Sequence, residues 1–293
     1  MSERSASREG SCDLPEDVVK IKVGLIPPRG LENLVLRSKF HLSLAIDELM
    51  NRRMYSGMYK RAAELGDYVV LDNGLAEGMP CTPSFLYKHA KEIGASEVVV
   101  PDVMQDAEGT INQVKLFFED RKLLPIKHMA VAQGKTLPEF RRCVEEFAKV
   151  EFITVVGIPR HMLETLRTQP CRIEFANWVA DKFPGRFELH FLGTNPVWIG
   201  EVKAAAKYTP ARSVDTSMPF SYAMAGEDLA LSAQQIIRPK RYFETDWSRF
   251  VDVHLVRHNI STLLEWAGAT GTRSHAAAET SARPVRRMSA VQS

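Results

Sequence analysis

Short apolar runs rich in β-branched residues alternate along the chain with longer amphipathic stretches. This alternation is typical of strands that alternate with helices, and it favours a parallel sheet. Eight runs have the length and composition of strands. They cover residues 18–27, 40–45, 67–74, 96–103, 128–134, 151–159, 187–194 and 212–218.

The segments between and after these runs carry the marks of helices. Several begin with an N-cap residue type or an early proline and keep apolar residues at helical spacing. On this pattern we predict helices over residues 82–95, 106–124, 136–150, 226–239 and 246–268. No glycine fingerprint follows the first strand, so the count favours a single-domain (β/α)8 TIM barrel over an open doubly wound sheet.

The two ends of the chain differ in composition from the middle. Both are rich in Ser, Ala, Thr and Arg and carry too little apolar surface to offset the entropy of ordering. We therefore expect a disordered tail over 1–15, a catalytic barrel over 16–268 and a basic disordered tail over 269–293.

Composition excludes several classes of protein. The 38 basic and 36 acidic residues leave a net charge of +2, so the whole chain is neither histone-like nor acidic. With 45% hydrophobic and 25% charged residues, the chain can bury a large core, which excludes a disordered or collagen-like protein.

The cysteines and the hydropathy indicate a compartment. Cys12, Cys81, Cys143 and Cys171 form no C-x-x-C pair, so we expect reduced thiols and no structural zinc. No apolar run reaches the length of a membrane span, and the first residues are polar. We expect a cytoplasmic protein that does not bind membranes.

The active site of a (β/α)8 barrel lies at the carboxyl ends of its strands. The predicted strand exits carry Asp72-Asn73-Gly74, Pro101-Asp102, Gln133-Gly134, Gly157-Ile158-Pro159, Gly193-Thr194-Asn195 and Asp215. Because side chains alternate along a strand, Asp72 and Asp102 lie over the barrel mouth if their apolar neighbours fill its interior. Confined carboxylates raise one another's pKa, which can place an ionised nucleophile beside a protonated acid.

Other interpretations of these residues stay open. A single Asp at a strand exit is a common turn former or helix N-cap. Several acids on a rim could also hold Mg²⁺, or a transition metal with Glu188 and His190, as in a divalent-metal barrel enzyme acting on a small metabolite. A nucleic-acid-binding barrel without catalysis is a third alternative. The supporting metal ligands are poor, so we expect no metal and no cofactor.

The order of the motifs at the strand exits resembles the tRNA-guanine transglycosylase family of queuine and archaeosine synthesis. The motifs are Leu71-Asp72-Asn73-Gly74, Val100-Pro101-Asp102, Ala132-Gln133-Gly134, Val156-Gly157, Phe191-Leu192-Gly193 and Val214-Asp215-Thr216-Ser217-Met218-Pro219. The similarity covers roughly residues 20–220. It implies a pentosyltransferase that exchanges guanine in a nucleic acid for a 7-deazaguanine without cutting the backbone.

The resemblance also implies roles for individual residues. Asp215 matches the nucleophile and Asp72 the general acid/base. Asp102 and Gln133 match the pair that reads the hydrogen-bonding edge of the base. The remaining base contacts implied by position are Gly157 and Ile158 through their main chains, Asn73 beside the acid, and Met218, with Phe220 and Tyr222 as further stacking candidates.

The chain departs from the family pattern in ways that bear on the acceptor. The tRNA enzymes carry a C-x-C-x-x-C zinc insertion after the nucleophile strand, whereas this chain has no cysteine after Cys171. Asn73 replaces the usual Ser, and Phe220-Ser221-Tyr222 follows Pro219 in place of Thr-Arg. A zinc-free relative is more similar to the phage branch that places 7-deazaguanines, such as 7-cyano-7-deazaguanine, in DNA. The expected partners are therefore DNA, or alternatively tRNA, and a free 7-deazaguanine base.

Two groups of cations are candidates for phosphate contact. Arg238, Lys240 and Arg241 follow the nucleophile strand next to an aromatic residue, as in segments that track a nucleic-acid backbone. Arg160 and His161 follow the sixth strand. A charged run of this kind is also common in solvated loops.

Overall fold

Eight parallel strands close into a barrel in which each strand pairs with the next and the last pairs with the first. The computed structural model describes residues 21–45, 53–119, 123–167, 171–195 and 198–268. The strands are β1 Lys22–Leu25, β2 Phe40–Leu44, β3 Tyr68–Asp72, β4 Glu97–Val99, β5 Lys127–Val131, β6 Ile153–Pro159, β7 Glu188–Leu192 and β8 Ala211–Thr216. The predicted (β/α)8 fold is confirmed, while Cys12 and the predicted tails lie outside the described residues.

Helices surround the barrel. They are α1 Arg53–Glu64, α2 Pro83–Ile93, α3 Ala107–Glu119, α4 Leu137–Phe147, α5 His161–Leu166, α6 Cys171–Lys182, α7 Glu201–Tyr208, α8 Met218–Met224 and α9 Val253–Trp266, with 3₁₀ turns at Glu32–Arg37 and Trp247–Arg249. Among the described helices, none has both the length and the apolar character that crossing a membrane requires.

Local sequence explains where the predicted helices start and stop. Thr82 caps α2 by accepting the N–H of Phe85, and Gly94 ends it with a φ of 70°, a left-handed conformation that suits glycine. At α4, Thr136 and Glu139 form a reciprocal capping box. These interactions satisfy backbone groups that the helices leave open.

Proline ends two of the strands earlier than the apolar runs suggest. β1 stops at Leu25, and after one more hydrogen bond from Ile26 to Thr216 the chain continues into Pro27, which has no N–H to donate. β4 stops at Val99 for the same reason, since Pro101 follows the last paired amide.

The helix predicted over 226–239 is wrong. This segment forms turns and extended chain. Its carbonyls are used elsewhere, since Tyr222 Oη donates to the Gln234 carbonyl at 2.7 Å. Its apolar residues do not form one buried face either, because Leu229 is buried whereas Leu231 and Ile237 are 82% and 75% exposed.

The helix predicted over 246–268 begins later than expected. Residues 247–249 form a separate 3₁₀ turn capped by Asp246. Asp252 then starts α9 by accepting the N–H of His254 at 2.8 Å. Two acids that each suit an N-cap therefore divide the segment.

The amino-terminal end of the barrel is filled by a charged cluster. Arg212 donates to Glu97 at 2.8 and 3.1 Å and to Glu188 at 2.6 Å, and Tyr68 donates to Glu97 at 2.5 Å. The register between β7 and β8 shifts at this point, so that Leu189 pairs with Ala211 and the next residue pairs beyond Arg212. The unmatched residue of such a bulge can be re-aimed, here toward the interior.

Candidate functional site

A cavity of about 460 Å³ opens at the carboxyl ends of the strands. Asp72, Asp102 and Asp215 all line it, with exposures of 8%, 9% and 4%. Its apolar wall comes from strand residues that point into the barrel and from the segments after β8. These residues are Ile26, Leu42, Leu44, Val99, Val131, Leu192, Met218 and Ile236. The volume and the mostly apolar wall are typical of small-ligand sites.

Asp215 is held through one carboxylate oxygen, Oδ1. Its Oδ1 accepts the main-chain N–H of Gly193 at 2.9 Å and lies 3.1 Å from Nε2 of His190. Hydrogen bonds of this kind stabilise negative charge on a buried carboxylate. The side chain therefore meets the cavity as an oriented acid.

Ser213, His190 and Asp215 form a hydrogen-bonded series. Nδ1 of His190 lies 2.8 Å from Oγ of Ser213, and both residues are completely buried. The serine does not line the cavity, whereas Asp215 does. The geometry thus differs from a hydrolase triad, in which the serine faces the substrate. The sequence offers His190 and Glu188 as a possible pair of metal ligands. In the structure the partners of the His190 ring are Ser213 and Asp215.

Asp72 is placed to carry a proton. Burial is the main cause that raises the pKa of Asp72 well above its usual range, and the charge of Glu77 is the next. Asp102 and Asp215 add to the effect, while a hydrogen bond of 2.9 Å from Gly74 N–H opposes it. Glu77 lines the same cavity. Sequence reasoning missed it, although its position five residues after a strand-exit acid was the available indication.

Asp102 is bound by two side-chain amides. Asn73 Nδ2 donates to one oxygen at 2.7 Å and Gln133 Nε2 to the other at 2.5 Å. Burial raises the pKa of Asp102 to about 6 in spite of these bonds. Since Gln133 Oε1 accepts the N–H of Gln105 at 3.0 Å, both ends of this amide are engaged.

A buried arginine that sequence reasoning missed ties the ends of β6 and β7 together. Arg172 of α6 is fully buried and donates to the carbonyls of Ile158 and Gly193, both at 2.9 Å. Its charge is paired with Glu201, 3.0 Å away. The main chain of Gly193 therefore binds Arg172 through its carbonyl and Asp215 through its N–H.

Some of the expected base contacts line the cavity and others do not. Asn73, Met218 and Tyr222 line it. Gly157, Ile158 and Phe220 are not part of its wall. Ile158 and Phe220 are fully buried, and a Cβ on Gly157 would meet Leu192, Met129 and Val131, so side chains separate this glycine from the cavity.

The candidate phosphate contacts are also divided. Arg160 and Arg238 line the cavity at its rim, whereas Lys240 and Arg241 do not. Arg238 lies over the rings of Tyr242 and Phe243, 5.5 and 5.1 Å from their centroids. His161 lines the cavity too, but burial, with smaller contributions from Arg172 and Arg160, lowers its pKa to about 4. It therefore offers a neutral ring rather than a positive charge at neutral pH.

Within the described ranges, no group of three or more His, Cys, Asp or Glu side chains is arranged to hold a metal ion. Cys81, Cys143 and Cys171 are buried thiols.

The fold and the cavity define a (β/α)8 barrel with an acid-rich pocket at the carboxyl ends of its strands. No family model matches the chain, and no curated protein matches it. Among solved structures, it is similar to one assigned as a fructose-1,6-biphosphate aldolase from Coccidioides immitis, with a TM-score of 0.53 and 12% identity over 87% of this chain and 91% of that one. At this identity the likeness shows the fold alone.

Two other barrels match more distantly. An N-acetylneuraminate lyase from Mycoplasma synoviae has a TM-score of 0.44 and 11% identity over 69% of this chain and 70% of that one. A 3-keto-L-gulonate-6-phosphate decarboxylase from Vibrio cholerae O1 has a TM-score of 0.40 and 11% identity, over 83% and 99% of the two chains.

Proposed function

We propose that the protein is a base-exchange pentosyltransferase that replaces guanine in DNA with a 7-deazaguanine. One observation carries the proposal: three acids in unlike environments line a single cavity. Asp72 favours the protonated form, and Oδ1 of Asp215 accepts the Gly193 N–H and lies 3.1 Å from His190 Nε2. This is the division of labour that a two-step displacement at a sugar needs.

In the proposed reaction, Asp215 attacks C1′ of the nucleotide and the bond from C1′ to N9 of guanine breaks. Asp72 gives its proton to the departing base. The incoming 7-deazaguanine then loses its N9 proton to Asp72, and N9 displaces Asp215 from C1′. Two displacements keep the configuration of the sugar and return the proton to its starting place.

The remaining residues of the wall suit a guanine ring. Asp102 is an acceptor for N1–H and the exocyclic amine. Gln133 Nε2 carries a second N–H besides the one that Asp102 accepts, and this N–H would donate to O6. Leu192 and Met218 offer apolar surfaces on which a flat ring can lie. Because such a base is inside a helix or stem, the nucleotide must be flipped out to enter the cavity.

The rim suits a negatively charged backbone. Arg160, which follows β6, and Arg238, which lies after β8, are exposed cations at the cavity edge. Lys240 and Arg241 follow Arg238 in the chain outside the cavity wall and would contact neighbouring phosphates.

The test uses the purified full-length chain with guanine-labelled duplex DNA and 7-cyano-7-deazaguanine. We expect release of labelled guanine and the modified nucleoside by mass analysis, and we expect D215A to abolish both. D181A, at an exposed position of α6, is the matched control. No release from DNA would overturn the proposal in this form, and release from tRNA in the same assay would transfer the activity to RNA. Unchanged exchange by D215A would refute the nucleophile.

A further inference from the structure

The hydrogen bonds behind Asp215 assign a role to His190. We propose that His190 is a positioning residue that holds Asp215 through Oδ1 as a neutral ring protonated on Nε2, so that Oδ2 is the oxygen presented to the sugar. The catalytic part of this inference rests on the proposed function. The protonation pattern does not, and it can be measured without any substrate.

The position of the ring leaves it few partners. His190 is completely buried inside the barrel, with Nε2 3.1 Å from Asp215 Oδ1 and Nδ1 2.8 Å from Ser213 Oγ. One face of the ring packs toward Phe40, with 5.8 Å between the centroids. His190 does not line the cavity, so it acts through Asp215 and not on the ligand.

The neighbours of Ser213 decide which ring nitrogen carries the proton. Arg212 Nε lies 3.1 Å from Ser213 Oγ, and an arginine nitrogen can only donate. The hydroxyl accepts from Arg212, and in the proposed pattern it donates its own proton to Nδ1 of His190. Nδ1 then accepts, and the ring proton lies on Nε2, where it donates to Asp215.

The same protonation state follows from the other end of the series. An ionised carboxylate only accepts hydrogen bonds. If Nδ1 carried the single proton, the lone pair of Nε2 would face Oδ1 at 3.1 Å and the contact would be repulsive. The arginine at one end and the acid at the other thus specify one tautomer.

This arrangement selects the reacting oxygen. Oδ1 of Asp215 receives both Gly193 N–H and His190 Nε2–H. Two donors on one oxygen fix the plane of the carboxylate, and Oδ2 keeps its lone pairs for C1′. Holding the attacking atom in line is the contribution of orientation to the rate.

The first test is a ¹⁵N histidine spectrum of the wild-type full-length protein, with H190Q used to assign the His190 signals. We expect Nδ1 to show the shift of an unprotonated ring nitrogen and Nε2 that of a protonated one. In S213A the hydroxyl is gone but Asp215 still faces Nε2, so we expect the proton to stay on Nε2. A wild-type ring protonated on Nδ1, or on both nitrogens, would overturn the proposal.

The second test compares two variants in base exchange. The side-chain amide of H190Q can place a donor where Nε2 lies, whereas H190L fills the space without one. We expect H190L to lower kcat on the order of 100-fold with little change in KM, and H190Q to recover most of the loss. Equal loss in both variants, or none in H190L, would contradict positioning. If wild type exchanges no base, the proposed function fails, and the spectrum still decides the tautomer.

Discussion

Nε2 of Gln133 lies 2.5 Å from Oδ2 of Asp102, so the two residues that would read the edge of the base are bonded to each other before any base arrives. The pair buries a carboxylate whose pKa burial raises to about 6. Base recognition should therefore depend on the ionisation of Asp102.

We expect KM for the incoming base to fall as pH rises through about 6, because only the ionised Asp102 accepts from both N1–H and the amine. In D102N this pH dependence should disappear and KM should be raised throughout. Steady-state kinetics from pH 5 to 8 checks it, with D181N as the control. If D102N keeps the wild-type pH profile of KM, Asp102 does not bind the edge of the incoming base.

The charge of Glu77 should set the alkaline limit of guanine release. Asp72 donates only while protonated, and Glu77 is the largest charged contribution to its raised pKa. E77Q removes that repulsion and lowers the pKa of Asp72, so the fall in rate should begin at lower pH. The control is E164Q, which changes another acid of the cavity wall that does not act on Asp72. If E77Q does not shift the alkaline fall in the rate, Asp72 is not the group that protonates the departing base.

Asp72 should also cost stability at high pH. Its folded pKa is raised above the unfolded value, so its stabilising contribution is present at low pH and is lost as pH rises through the folded pKa. D72N avoids this loss. We expect D72N to be more stable than wild type at pH 8 and to lose the advantage at low pH, as measured by urea unfolding. The opposite order at pH 8 would mean that the acid is stabilised as a carboxylate.

Arg172 should be a main determinant of stability near the site. R172M leaves Glu201 buried without its ion-pair partner and frees the carbonyls of Ile158, Leu192 and Gly193, at a cost of about 3–5 kcal/mol in the free energy of unfolding. R186M is a matched control, because Arg186 binds the carbonyls of Val150 and Ile153 at the opposite end of the barrel. Urea unfolding gives both costs. At temperatures where both variants are folded, only R172M should slow exchange, since only Arg172 holds the main chain of Gly193 that binds Asp215.

The rim arginines should account for part of the salt dependence of DNA binding. R160A and R238A should each weaken binding at low salt and reduce the slope of log K against log salt by about one. Fluorescence anisotropy with a labelled duplex measures this, and K182A on the exposed surface of α6 is the control. If both variants keep the wild-type slope of log K against log salt, the DNA backbone contacts another face of the protein.

The sequence was sufficient for those features that local patterns determine. The β-type runs located all eight strands, and the parity of side chains along β3 and the exit of β4 placed Asp72 and Asp102 over the mouth. The run at 226–239 misled because its apolar residues do not share one buried face: Leu229 is buried while Leu231 and Ile237 stay exposed, which a single sequence does not reveal.

Contacts between distant segments account for the rest of the site. Arg172 lies in a helix whose sequence gives no sign that its charge is buried, and its partners come from β6, β7 and α7. The series from Arg212 to Asp215 requires the register shift between β7 and β8. Such relationships depend on how the barrel closes, and periodicity within one segment does not encode them.

The charged cluster of Arg212, Glu97 and Glu188 fills the amino-terminal end of the barrel, opposite the cavity at the carboxyl ends of the strands. In the proposed reaction, guanine would leave and the incoming base would enter through the carboxyl-end opening one after the other, because the flipped sugar stays bound to Asp215 between the two steps. Because the first base leaves before the second one binds, the proposed reaction should follow ping-pong kinetics, with parallel reciprocal plots and with free guanine competing against the incoming base.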